Sequence, residues 1–153
     1  MKYRLILIAI SISSVASASQ YLKKENPEEL SYSILISPDC LVKQQEIQSI
    51  VESALLYSRI KPNNSTWYKD AVHLRVTLSC LAKYNHYPIF RTNAVFVDYS
   101  PSAKYFHAVL SKEYAFLGMG PKSAVLNSAK LSIVSAMEDF VKTNFMAVGI
   151  FSN

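Results

Sequence analysis

Three histidines, two cysteines and a single tryptophan are the residues of this chain with the most chemistry to offer. His73 stands on a stretch with a period of two. Val72, Leu74, Val76, Leu78 and Cys80 take one side, and His73, Arg75, Thr77 and Ser79 the other. A histidine beside a carboxylate is the arrangement of a general base. If the next strand pairs so that Val76 meets Val95, Asp98 falls opposite His73, with Thr77 or Ser79 as nearby hydroxyls. One residue of slip reverses the face. The plainer reading of His73, Arg75 and Asp98 is a solvated sheet face with cross-strand polar pairs. His86 falls in a turn and His107 in a segment of undecided type, so no two histidines have zinc spacing. Gly118-Met119-Gly120 lacks the further residues of a phosphate-binding fingerprint, and nothing resembles a nucleophile elbow. No catalytic residue, metal or cofactor is assigned.

Cys40 and Cys80 are the expected disulfide. An even count in an exported chain favours oxidation, and two distant cysteines are too few for a metal site. Their settings agree. Ser37-Pro38-Asp39 reads as a helix start, with serine at the N-cap and proline at the first helical position. Ile47, Ile50, Val51, Ala54 and Leu55 then recur at helical spacing up to Lys61-Pro62, and Cys40 lies seven residues before Ile47, on the same face. Both sulfurs are thus aimed at one core, from a helix and from the sheet that it covers. Closing the loop between them contributes roughly 4 kcal/mol in the chain-entropy model. The alternative is a pair of buried free thiols.

Trp67 and Tyr68 follow the polar run Asn63-Asn64-Ser65-Thr66. Aromatics on a polar loop can anchor a partner or stack on a sugar, though a tryptophan there also commonly caps the edge of a core. Asn63 and Asn64 each begin an acceptor sequon, which matters only in a eukaryotic source.

These residues need elements to hold them. Prolines at 27, 38, 62, 88, 101 and 121 fall between periodic segments and never inside one. Tyr32 to Ile36 reads as a first strand. Ile89 to Tyr99 reads as a long strand, joined to the Cys80 strand through Tyr84-Asn85-His86-Tyr87 as a hairpin. Lys104 to Leu117 fits either a helical stripe or a strand, and its aromatics and closing glycines favour the strand. Val125, Leu126, Ala129, Ile133, Ala136, Met137, Phe140 and Val141 mark a final helix. The order β-α-β-β-β-α implies an α+β two-layer sandwich, with two helices on one face of a mostly antiparallel four-stranded sheet.

The N-terminus supplies the setting. Basic Met1-Lys2-Tyr3-Arg4, apolar Leu5 to Ile12 and Ala16-Ser17-Ala18 are the three parts of a secretory signal peptide, with cleavage expected after Ala18. The apolar run is far below the ~20 residues of a membrane-spanning helix. The organisation expected is therefore a signal peptide over 1–18, a polar leader over 19–30, one domain over 31–145 and an apolar tail over 146–153. That tail is a docking segment, an edge strand or disordered.

The formal charge of +5 falls to +3 once Lys2 and Arg4 are gone, with 14 basic residues against 11 acidic. No basic cluster remains for nucleic acid. Half the residues are apolar and 18% charged, which excludes intrinsic disorder.

The function expected is a non-enzymatic binding or assembly module of a bacterial cell envelope, periplasmic or secreted, meeting another envelope or secreted protein. The contact residues expected are Trp67, Tyr68, His73 and Arg75, on the sheet face away from the helices, and a strand edge offers a route to a homo-oligomer. The alternatives are a small secreted hydrolase using His73 with Asp98, and a secreted inhibitor or effector that blocks a partner.

Overall fold

Strand β1 (Glu29–Ile36) leads through helix α1 (Gln44–Tyr57) into a three-residue strand, β2 (Lys61–Asn63). The hairpin β3 (His73–Tyr84) and β4 (Tyr87–Val97), strand β5 (Tyr114–Met119) and helix α2 (Lys122–Phe145) follow. The computed structural model describes residues 22–63, 72–84, 87–98 and 109–146. The architecture is α+β, two helices on one face of a five-stranded mixed sheet in the order β2-β1-β3-β4-β5.

The sheet is therefore neither four-stranded nor mostly antiparallel. β1 pairs in parallel with both β2 and β3, while β3–β4 and β4–β5 are antiparallel. A strand that returns through a helix comes back parallel, and the sequence pattern missed β2 because Lys61-Pro62-Asn63 is too short to show a period. Pro62 has no N–H to give a ladder, so an edge position suits it.

The helix-side core follows the spacing of the apolar residues. Leu74, Val76, Leu78 and Cys80 of β3 are at most 4% exposed, and Phe90, Ala94 and Phe96 of β4 lie beside them. Ile47, Val51 and Leu55 of α1 close the core from above, with Val125, Ala129, Ile133, Ala136, Met137 and Phe140 of α2. The rings of Phe96 and Phe140 stack at 5.4 Å. Gly118 leaves room for Phe90, whose ring would lie 2.9 Å from any Cβ there. Leu22 is buried in the same core, and the Asn144 amide at the end of α2 donates to its carbonyl at 3.0 Å.

Cys40 and Cys80 are bonded to each other. The helix start differs from the expectation. Ser37-Pro38-Asp39 does not cap a helix, and α1 begins only at Gln44. Ser37 is used by the sheet: its N–H donates to Leu78 O at 2.9 Å, and its hydroxyl accepts the Cys80 N–H at 2.9 Å. Cys40 thus reaches β3 from a turn rather than from a helix. The cap of α1 is supplied by Glu46, whose carboxylate accepts the Lys43 N–H at 2.9 Å and meets Lys122 of α2 at 2.8 Å. The Lys122 ammonium and the Lys43 amide hold the Glu46 carboxyl below the usual carboxylate range.

The other end of α1 closes with the Arg59 N–H on Leu56 O and the Ile60 N–H on Leu55 O, each at 2.9 Å. That pair of bonds is a Schellman motif, with Arg59 at φ 58° in the position that favours glycine.

The segment read as a strand over Lys104 to Leu117 is a strand only from Tyr114. Val109 makes an isolated bridge to Val97, and residues 104–108 lie outside the described residues. Among the described residues no helix is long and apolar enough to cross a membrane.

Candidate functional site

Each strand of a pleated sheet sends alternate residues to opposite faces. The face away from the helices is therefore made of rows running across β1, β3, β4 and β5. The pairing places Ser31, His73 and Val97 in one row, then Ser33, Arg75 and Val95. Leu35, Thr77, Asn93 and Ala115 follow, then Ser79, Arg91 and Leu117, and last Leu81, Ile89 and Met119.

The first two rows are largely buried and the last two largely exposed. His73 and Val97 have no exposed surface and Ser31 has 2%, whereas Leu81 is 65% exposed, Leu117 77% and Met119 51%. One end of the far face is closed and the other is open. The open end is apolar, broken by Ser79 and by Arg91, which reaches Glu113 at 2.7 Å.

This gradient corrects the placement of His73. The alternation puts it on the far face as expected, but that end of the face is inside the protein. Its Nδ1 lies 2.9 Å from the Ser31 hydroxyl and its Nε2 2.9 Å from the Ser33 hydroxyl. A neutral imidazole has one donor and one acceptor nitrogen, so the two serines satisfy both.

The register is also one residue from the expected one. Val76 pairs with Ala94 and His73 with Val97, so Asp98 does not fall opposite His73. The expected juxtaposition of ring and carboxylate across the hairpin is therefore replaced by a buried ring between two hydroxyls. Arg75 is half-buried, at the boundary between the closed and open ends. Trp67 and Tyr68 lie outside the described residues, as do His86 and His107. Among the described residues no three His, Cys, Asp or Glu side chains gather as a metal site.

Leu81, Ile89, Leu117 and Met119 were missed by sequence reasoning. A signal for two of them was present. Leu81 continues the polar phase of His73, Arg75, Thr77 and Ser79, and Ile89 shares the phase of Arg91 and Asn93. An apolar residue in a polar phase marks a face that is dry or is meant to be covered.

β5 borders this patch and is an edge of the sheet among the described residues. Tyr-Ala-Phe-Leu-Gly-Met contains no charge and no proline, the usual devices that blunt an edge.

No protein-family model matches the chain, and neither does any curated protein. Among solved structures, a PelC dodecamer from Paraburkholderia phytofirmans is similar at 13% identity and a TM-score of 0.48, covering 73% of this chain and 87% of that one. A minor lipoprotein from Acinetobacter baumannii is similar at 12% identity and a TM-score of 0.36, covering 75% of this chain and 90% of that one. Likeness at this level transfers no function.

The outer surface of the helix layer carries a second apolar feature. Two open grooves, of about 410 and 550 Å³, share Ala54, Tyr57 and Val134. Tyr57 is 94% exposed there. These grooves offer side chains alone, whereas the sheet edge also offers backbone donors and acceptors.

Proposed function

We propose that this protein is an exported, non-enzymatic binding or assembly module of a bacterial cell envelope, working in the periplasm by protein–protein contact through the open end of its sheet. The observation that carries the reading is the apolar row Leu81, Ile89 and Met119, with Leu117 beside it, on a face where the buried His73 is held by two serines. An apolar patch bordered by Ser79 and Arg91, with Arg75 further along the same face, has the make-up of a non-obligate interface, with an apolar centre and a polar border. The three-part N-terminus supports export, and the Cys40–Cys80 bond supports an oxidising compartment. Trp67 and Tyr68 remain in the proposal as further contact residues.

The test is capture of partners by the immobilised protein from an envelope fraction of its own source. Leu81→Lys should weaken capture by about tenfold or more, as removal of a central anchor does, and leave the melting temperature unchanged. Tyr57→Ser, on the helix layer, should leave capture intact. Capture that survives Leu81→Lys and Met119→Lys, or that is lost in Tyr57→Ser, would place the contact elsewhere.

A further inference from the structure

We infer that two copies of this chain pair through β5, antiparallel about a two-fold axis at Leu117, and join their sheets into one.

The backbone sets the phase. The register of β4 and β5 extends to Gly120 opposite Pro88, and the Gly120 N–H donates to Pro88 O at 3.4 Å. In an antiparallel ladder, residues that bond the neighbour alternate with residues whose N–H and C=O both point the other way. Tyr114, Phe116, Gly118 and Gly120 therefore face β4. Ala115, Leu117 and Met119 turn theirs to the other side, where no strand lies among the described residues.

A strand adding at this edge must bond those three residues. For two identical strands related by a two-fold axis, one register uses all of them. Leu117 meets Leu117 of the second copy, and Ala115 meets Met119 in both directions. Any other symmetric register that keeps outward groups paired leaves at least one of the three without its equivalent partner.

The side chains fit the same register. On the far face, a small residue lies across from a large one on either side of a leucine pair. All three are exposed in the single chain, Leu117 at 77% and Met119 at 51%. On the helix face, Phe116, 38% exposed, falls opposite Gly118 of the second copy. An aromatic ring across from a strand glycine covers the backbone that glycine leaves bare. Charge does not oppose the contact. The chain is net positive, yet no residue from Tyr114 to Met119 is charged, so like charges do not meet along the pairing. The two open apolar rows become continuous across the axis.

This inference extends the contact reading but is measured without any partner, so the two can fail separately. The exported protein is examined by sedimentation over a wide concentration range, and a dimer is expected. Leu117→Lys sets two ammonium groups against each other on the axis and should give a monomer with unchanged circular dichroism. Leu117→Cys should form a covalent dimer on mild oxidation. Directly opposed residues in a bonded antiparallel pair have Cα atoms about 5.5 Å apart, inside the disulfide range of about 4.4–6.8 Å. Phe116→Cys, two residues out of register with its own copy, should crosslink far less. A chain ending at Met146 should dimerise like the parent.

A parent that is monomeric at every concentration overturns the inference. So does a Leu117→Lys protein that stays dimeric, or equal crosslinking at 116 and 117. Loss of the dimer on removing 147–153 would assign the contact to the tail instead.

Discussion

Both ring nitrogens of His73 meet serine hydroxyls, so replacing the ring with a methyl group leaves two buried hydroxyls and a cavity. His73→Ala should lower unfolding stability by ~2–4 kcal/mol, read from urea denaturation. A change below ~0.5 kcal/mol would mean that the end of the sheet is not closed. Asp139 carries a second residue-scale prediction. Burial works against its charge, but the Tyr114 hydroxyl and the Lys112 ammonium at 3.0 Å outweigh it and hold the carboxyl below the ordinary range. A carboxyl lowered in the folded state contributes stability above its unfolded value of about 4, and loses it as pH falls through the folded value. Stability should thus decline on acidification below about pH 4, and Asp139→Asn should flatten that decline. Burial and the same carboxylate raise the Tyr114 phenol, so its contribution is present below about pH 10 and is lost in stronger alkali. Tyr114→Phe should remove that alkaline loss.

At the scale of elements, the left-handed Arg59 is the test case. A residue with a Cβ is strained there, and glycine is not. Arg59→Gly should raise stability by ~0.5–1 kcal/mol in thermal or urea melts, although it adds no contact. A loss would mean that the Arg59 side chain stabilises the end of α1 by more than the strain costs. The same element shows what could be read in advance. The stripes of α1 and α2 were legible because helical burial repeats every three or four residues: Ile47, Val51 and Leu55, and Val125, Ala129, Ile133, Ala136, Met137 and Phe140, are buried as their spacing implies, with Leu126 and Val141 partly buried beside them. The start of α1 was not, because serine, proline and aspartate serve a turn as readily as a cap, and the bond from Ser37 to β3 decides between them. The core face of β3 was legible from its alternation. The register of β4 was not, since the geometry of the connecting turn sets it, and a slip of one residue moved Asp98 away from His73. Exposure of the far face was misjudged for a related reason: alternation says which face a residue takes, not what lies over that face.

For the whole molecule, the Cys40–Cys80 bond joins positions 40 residues apart and encloses α1 and β2. In the chain-entropy model a loop of this size contributes about 4 kcal/mol, a large share of a typical stability of about 5–15 kcal/mol. Reduction, or replacement of both cysteines by alanine, should lower the melting temperature markedly, and calorimetry in the presence and absence of reductant reads the difference. An unchanged melting temperature would mean that the bond constrains the unfolded chain little. Without it, the turn from Ser37 to Lys43 keeps backbone and hydroxyl bonds to β3 and α1, so the fold should survive at a lower melting temperature.

Among the described residues the two borders of the sheet differ in reach: six residues at β5, three residues including Pro62 at β2. Pro62 withholds a donor from any strand that approaches that side. In polymer language the chain is a monofunctional monomer, with one reactive end and one stopper. Assembly by strand addition then terminates after a single step, at two copies with a proline-bearing border on each flank. A protein can in this way keep an apolar edge for pairing without growing into a fibre.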